Sequence, residues 1–87
     1  MVSKTVTVIN KQGLHMRPAG VLSKEMTAFP CSVTILFNGK KINAKSVMNI
    51  IAGCIKCGSE ITIECEGQEE QAALDRAVNL IETGLGE

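Results

Sequence analysis

The dipeptide Asn38-Gly39 lies between two short runs that suit β-strands. The run before it, residues 32–37, has the two-residue period of a half-buried strand. Its apolar side consists of Val33, Ile35 and Phe37. Asn-Gly is a strong hairpin signal because both residues tolerate the positive φ angles of a two-residue turn. We therefore predict an antiparallel hairpin whose returning strand covers residues 40–43.

Two further segments alternate in the same way. Residues 5–9 are β-branched throughout, with Val6 and Val8 on one face. Residues 61–65 alternate apolar positions with threonine and glutamate, which predicts one buried and one solvated face. The chain therefore has four predicted strands.

Three segments have the pattern of helices. The first begins at Met16 to Pro18 and runs to about Thr27, since proline is compatible with the first turn of a helix. Ser46 is in the preferred position to cap a second helix over residues 47–52. A third helix opens at Glu69 and Glu70, and Gly84 suits its end. The predicted order is β-α-β-β-α-β-α.

This order predicts an α+β fold. A hairpin, single helices between strands and one polar sheet face favour an antiparallel sheet covered by helices on one side, an open-faced β-sandwich. The 87 residues support one small core, so we expect a single domain over residues 1–87.

Composition excludes several partners. The nine basic residues balance the nine acidic ones, and only 2% of residues are aromatic, so we expect no nucleic-acid binding. The sequence has neither an export signal nor an apolar stretch of membrane-spanning length, which predicts a cytoplasmic protein without membrane insertion. The four cysteines are then expected to be reduced thiols.

The chain's only histidine, His15, stands between Gly13-Leu14 and Met16-Arg17-Pro18 at the predicted start of the first helix. Free N–H groups of a helix start and the guanidinium of Arg17 suit phosphate oxygens. Imidazole near neutral pH is largely uncharged and nucleophilic, so His15 could accept a phosphoryl group directly. The alternative is that His15 is a surface residue beside the helix cap without chemistry.

One face of the first helix carries a second candidate function. Arg17, Gly20, Lys24 and Thr27 share this face, which is small and basic near the histidine. It could dock an acidic, partly apolar partner. The alternative is that Lys24 and Thr27 are ordinary solvated residues.

The motif over residues 13–19, the segment Lys45-Ser46-Val47-Met48-Asn49-Ile50 and the ending over residues 84–87 together resemble a known family. Over essentially its whole length the chain resembles the HPr family. These are the histidine-containing phosphocarriers of the bacterial phosphoenolpyruvate-dependent sugar phosphotransferase system. The resemblance implies the strand order 1-4-2-3, and it implies neither metal nor cofactor.

The resemblance also assigns roles. It implies that enzyme I phosphorylates His15 on Nδ1, that Arg17 steadies the phosphoryl oxygens, and that the IIA domains of sugar permeases receive the group. It adds Met16, and Val47, Met48 and Ile51 of the second helix, to the residues that are expected to dock a partner. The chain would thus be a carrier, a substrate of enzymes more than an enzyme itself, and nothing demands more than a monomer.

Ser46 looks like the regulatory serine that HPr kinase/phosphorylase modifies in Gram-positive bacteria, which would connect the chain to a catabolite-control transcription factor. Phosphate at a helix start stabilises the helix, yet it adds a charge of about −1.5 to −2 where an acidic partner would dock. We therefore predict impaired docking without unfolding. From the residues alone, Ser46 is a plain capping residue.

Two features depart from the family pattern. Met16 stands where a smaller residue is usual, which bears on partner preference. Cys54 and Cys57 form a C-x-x-C pair that is not a family feature, and a zinc site there would need Cys31 and Cys65 as further ligands. Two rivals to the carrier function therefore remain: a regulatory binding module governed by Ser46, and a thiol or zinc protein.

Overall fold

The turn at Asn38-Gly39 closes a hairpin as predicted. Both residues have positive φ, 51° and 75°, the conformation in which a two-residue turn follows the twist of its strands. The computed structural model describes residues 1–87. The hairpin joins strand β2, Ser32–Phe37, to strand β3, Lys40–Asn43.

The remaining elements complete the predicted order. They are β1 (Val2–Thr7), α1 (Met16–Thr27), α2 (Val47–Ala52), β4 (Glu60–Glu66) and α3 (Glu70–Glu82). The four strands form one sheet in the order β1-β4-β2-β3, and every neighbouring pair is antiparallel. The fold class and the strand order are therefore confirmed. No helix of the chain is both long and apolar enough to span a bilayer.

The first strand starts earlier than its β-branched run suggested. It pairs with β4 from Val2 opposite Cys65 to Thr7 opposite Glu60, so residues 8 and 9 lie beyond the ladder. The backbone of Val8 instead bonds the turn before β4, accepting from Gly58 N–H and donating to Ser59. Val8 is fully buried and Ile9 is 54% exposed, so the chain leaves the sheet while still packed against it.

The core lies between the sheet and the helices and is almost entirely aliphatic. Its sheet side is made of Val6, Val33, Ile35, Ile61, Ile63 and Cys65. Its helical side is made of Ala19, Leu22, Met26, Ile50, Ala73, Leu74, Ala77, Val78 and Ile81. Because burying each Val, Leu or Ile side chain contributes about 1.5–3 kcal/mol, this layer anchors the helices over one face of the sheet.

The segment after α3 turns back toward the start of α1. Gly84 has a φ of 88°, and the N–H of the fully buried Leu85 donates to the carbonyl of Leu80 at 2.8 Å. This reversal carries Glu87 across the molecule to the loop before α1. Residues from both ends of the sequence therefore meet at one site.

Candidate functional site

The loop that precedes α1 is held by a close approach at Gly13. This residue has a φ of 71°, and a Cβ atom there would collide with the carbonyl oxygen of Ile55. The N–H of Leu14 donates to that same carbonyl at 3.0 Å. Only glycine meets both conditions, so the motif's first residue fixes the loop against the segment between α2 and β4.

His15 is the residue at which α1 begins. Its backbone is extended (φ −80°, ψ −169°), and its carbonyl accepts the first helical hydrogen bond from Ala19 N–H at 2.9 Å. Its side chain makes no capping hydrogen bond and is 36% exposed. The predicted helix start is confirmed, and the imidazole stands at the positive end of the helix dipole without serving as its cap.

A carboxylate holds one nitrogen of this imidazole. Nε2 of His15 lies 3.0 Å from Oε2 of Glu87. The amide of the buried Asn10 donates to Oε1 of Glu87 at 2.7 Å and to the carbonyl of Gly84 at 2.8 Å. With its hydrogen on Nε2, facing the carboxylate, a neutral ring has its lone pair on Nδ1.

The charges around Glu87 act together. The hydrogen bond from Asn10 is the main cause that lowers the pKa of the Glu87 carboxyl, and the neighbouring His15 and Arg17 lower it further. The guanidinium of Arg17 therefore lies near enough to influence the His15–Glu87 pair. Arg17 itself is exposed and forms no ion pair, so its hydrogen-bond donors are available to an arriving anion.

Sequence reasoning missed the contributions of Asn10 and Glu87. Neither residue belongs to a motif with a chemical role, and the contact joins opposite ends of the chain. The only signal was the Gly84–Glu87 ending, which contributed to the family resemblance without suggesting a partner for His15. The return of residues 84–87 to the first loop could not be inferred from local periodicity.

An open cleft of about 440 Å³ adjoins the His15–Glu87 pair. It is lined by residues 9–12, by His15, and by Thr83, Gly84 and Glu87. Ile9, which is exposed, is the one hydrophobic residue among those that line it. Solvent and small groups can therefore approach the imidazole along this cleft.

The predicted docking residues lie on α1 and α2, which pack against each other. Met16 is 64% exposed and Met48 is 70% exposed. Val47 and Ile51 are half-buried and pack against the core. Arg17, Lys24 and Thr27 are exposed and Gly20 is half-buried, although the hydroxyl of Thr27 is used in a hydrogen bond to the carbonyl of Ser23. We call these eight residues the docking surface.

Ser46 caps α2. Its hydroxyl oxygen accepts hydrogen bonds from the backbone N–H of Asn49 at 3.3 Å and from the Asn49 side-chain amide at 3.0 Å. The preceding residue, Lys45, is tied to α1, since its carbonyl accepts from the Ser23 hydroxyl at 2.8 Å, and its ammonium donates to the carbonyl of Phe29, just after that helix, at 2.6 Å. The capping prediction is confirmed, and the cap is anchored to the first helix.

The four cysteines do not gather into one ligand set. Cys54 and Cys57 are exposed, while Cys31 and Cys65 are buried. Burial raises the pKa of the Cys65 thiol to about 11, with the neighbouring Cys31 as a further cause. No three His, Cys, Asp or Glu side chains of the chain are placed to hold a metal ion together. The four-thiol arrangement that the zinc hypothesis required is therefore not formed.

Comparison with known proteins agrees with this geometry. A family model for the phosphotransferase-system HPr component phosphorylation site matches residues 2–83. The phosphocarrier protein HPr of Mycoplasma capricolum is 41% identical over 86 residues, which cover 98% of this chain and 97% of the relative. The match includes the His15 loop, α1, α2 and the whole sheet.

Solved structures give the same result. HPr-C-His from Thermoanaerobacter tengcongensis has a TM-score of 0.95 and 34% identity, covering 100% of this chain and 98% of its own. Crh, described as a catabolite-repression protein of Bacillus subtilis that forms a dimer with a swapped domain, has a TM-score of 0.78 and 34% identity, with 97% of each chain covered. These similarities extend over whole chains.

Proposed function

This chain belongs to the HPr family of the phosphotransferase system, and on that premise we propose that it carries a phosphoryl group between two proteins on His15. In this proposal phosphorylated enzyme I is the donor and the IIA domain of a sugar permease is the acceptor. The observation that carries it is the 3.0 Å contact between Nε2 of His15 and Glu87. This contact supports Nδ1 as the nucleophile, because the hydrogen of the neutral ring is then on Nε2.

The transfer is a displacement at phosphorus. The lone pair of Nδ1 forms the new N–P bond while the bond to the donor protein's leaving group breaks, so PO₃ moves in line between two proteins. The His15 ring then carries both the phosphoryl group on Nδ1 and the hydrogen on Nε2. Glu87 offsets the positive charge that this ring develops, and no proton has to leave in the step.

Arg17 is proposed to hold the phosphoryl oxygens. Its exposed guanidinium has no carboxylate partner in the chain, and its charge already reaches the His15 site. The helix start adds a modest attraction of about 0.3–1 kcal/mol for an anion. Attraction of this size suits a group that is stored briefly and then passed on.

The docking surface is proposed to receive both partners in turn. Met16 and Met48 expose large flexible apolar side chains, and Arg17 and Lys24 add positive charge. Methionine-rich surfaces can repack against different partners, which suits a carrier that binds a donor and then an acceptor. The chain is thereby a substrate of enzymes, without turnover of its own.

Ser46 is proposed as a regulatory phosphorylation site, and a kinase together with a catabolite-control transcription factor would be the further partners. The hydroxyl caps α2 one residue before Val47 and two before Met48 of the docking surface. A phosphate there would stabilise the helix start while opposing an acidic partner. The similarity to the catabolite-repression protein Crh supports this second role.

We propose that the chain acts as a monomer. His15, Arg17, Asn10 and Glu87 all come from one chain, so the site needs no second copy. The alternative is a dimer such as the domain-swapped dimer of Crh. Sedimentation at several concentrations distinguishes a monomer of this chain from a dimer.

The experiment for the proposed function is phosphate incorporation. The parent and His15→Ala are incubated with phosphoenolpyruvate and enzyme I, and the acid-labile phosphate on each is measured. We expect stoichiometric label on the parent and none on His15→Ala, with Ser46→Ala as the control that keeps full label. Equal labelling of His15→Ala and the parent would rule out the carrier function.

A further inference from the structure

Ile9 is one of four large hydrophobic residues that are strongly exposed. It follows the end of β1, is 54% exposed and lines the same cleft as His15. The thiol of Cys57, which is also exposed, donates to the carbonyl of Ile9 at 3.8 Å. An apolar spot made of two separate segments therefore lies beside the cleft that His15 lines.

Two lysines accompany this spot. Lys11 is exposed and lines the cleft with Ile9. Lys56 is exposed and immediately precedes Cys57, and its Cα lies against Gly13 in the His15 loop. Neither lysine takes part in any of the three ion pairs of the chain. We call Ile9, Lys11, Lys56 and Cys57 the Ile9 patch.

A single exposed isoleucine is ordinary on a protein surface. The Ile9 patch differs from a single exposed isoleucine in its composition. Like the docking surface, it combines exposed apolar side chains with cationic side chains that have no carboxylate partner. Glu87, which lines the cleft, forms its ion pair with His15. The charged side chains of the patch itself are both lysines, so its own charge is positive.

We propose that the Ile9 patch is a further part of the surface on which a partner protein docks, and that it is covered by an acidic, partly apolar region of that partner. The inference rests on the proposed carrier function and deepens it. A partner that must bring its own reactive group to His15 approaches the imidazole at close range, so a contact at the Ile9 patch, beside the cleft that His15 lines, adds to those of the docking surface in fixing the orientation. Interfaces commonly combine apolar anchors with complementary charge in this way.

The test measures phosphotransfer from phosphorylated enzyme I and to a IIA domain with patch variants. Lys11→Glu and Ile9→Ser are each expected to raise KM by roughly three- to tenfold for at least one partner, with little change in kcat. Ile9→Leu, which keeps the apolar side chain, is expected to behave as the parent does. Lys41→Glu makes the same charge change on β3 and is expected to leave both reactions unchanged.

Cysteine footprinting measures whether a partner covers the Ile9 patch without substituting any of its residues. In a Cys54→Ser background Cys57 is the only exposed thiol, and its alkylation by iodoacetamide is expected to slow when either partner is added in excess. Unchanged Cys57 alkylation with both partners, together with parental KM values for Lys11→Glu and Ile9→Ser, would overturn the inference. Protection of Cys57 by raising the concentration of this chain alone would assign the patch to a second copy and also overturn it.

Failure of this inference is distinct from failure of the proposed function. If the parent is labelled and His15→Ala is not, the carrier function stands whatever the patch variants do. If His15→Ala is labelled as well as the parent, the proposed function fails irrespective of the patch.

Discussion

Oε2 of Glu87, near one end of the sequence, lies 3.0 Å from Nε2 of His15, near the other. Asn10 holds the same carboxylate through Oε1, so the orientation of the imidazole depends on a chain of contacts from Asn10 through Glu87 to the ring. With the hydrogen on Nε2, Nδ1 is free, and in the proposed function the helix start and Arg17 attract the anion that Nδ1 receives.

Asn10 is expected to be important for stability as well as for the site. It is 5% exposed, and its amide bonds both Gly84 and Glu87. Asn10→Ala leaves the buried Gly84 carbonyl without this donor, which is expected to lower the free energy of unfolding by about 1–3 kcal/mol. Urea denaturation measures the loss, and the exposed Asn79→Ala serves as control. A loss no larger than that of Asn79→Ala would contradict this role.

The Glu87 carboxylate predicts a pH dependence of stability. Its pKa is lowered in the folded chain, mainly by Asn10, so its contribution is present above the unfolded value of about 4.3 and is lost as pH falls through the lower folded value. Glu87→Gln removes this contribution at all pH values. In denaturant titrations the parent is expected to exceed Glu87→Gln at pH 7, and the difference should disappear at low pH. A difference that grows on acidification would have the wrong sign.

Gly13 and Gly39 offer a matched pair of substitutions. Both have φ near 70°, but a Cβ at Gly39 meets open space while one at Gly13 meets the Ile55 carbonyl. Gly39→Ala is expected to cost about 1–2 kcal/mol for the left-handed backbone alone. Gly13→Ala should cost clearly more and should also slow phosphate incorporation, because the loop has to shift. Equal thermal denaturation midpoints for the two variants would contradict the close approach.

Ser46→Asp tests the electrostatic effect of modification. Aspartate is a good helix cap, so the variant should remain folded, whereas its charge opposes an acidic partner next to Met48. We expect slower transfer from enzyme I at low salt and recovery at high salt, with neutral Ser46→Asn close to the parent at both. If Ser46→Asp transfers at the parental rate under both conditions, charge at this cap does not govern docking.

The cysteines should divide into two reactivity classes. Cys54 and Cys57 are exposed, whereas Cys31 is 2% exposed and Cys65 is fully buried with its pKa raised to about 11. Since the thiolate is the reactive form, Ellman's reagent should modify the exposed pair quickly and the buried pair only after denaturation. Fast reaction of all four thiols in the native chain would contradict the burial of the second pair.

The architecture followed from local patterns. Alternation located three of the strands, Asn38-Gly39 located the hairpin and with it the fourth strand, and proline and serine located two helix starts. The boundary of β1 was wrong because the β-branched run continues through Ile9, whereas pairing with β4 ends at Thr7. The end of a strand depends on the length of the strand it pairs with and on the turn next to that strand. Neither can be inferred from the propensities of its own residues.

The site was only partly predictable. His15 and Arg17 could be found because their chemistry lies in one short motif. The Asn10–Glu87–His15 contacts join residues far apart in sequence, and they depend on the turn at Gly84 and the burial of Leu85. The exposure of Met48 was expected only from the family resemblance, since helical periodicity would have buried it.

Mapping the labile phosphate tests the central claim most directly. The chain, labelled with ¹⁵N in its single histidine, is phosphorylated by enzyme I and phosphoenolpyruvate, and ¹⁵N and ³¹P spectra identify the modified nitrogen. The expected result is phosphate on Nδ1 of His15 that disappears when a IIA domain is added. Phosphate on Nε2, on another residue, or retained in the presence of the IIA domain would contradict it.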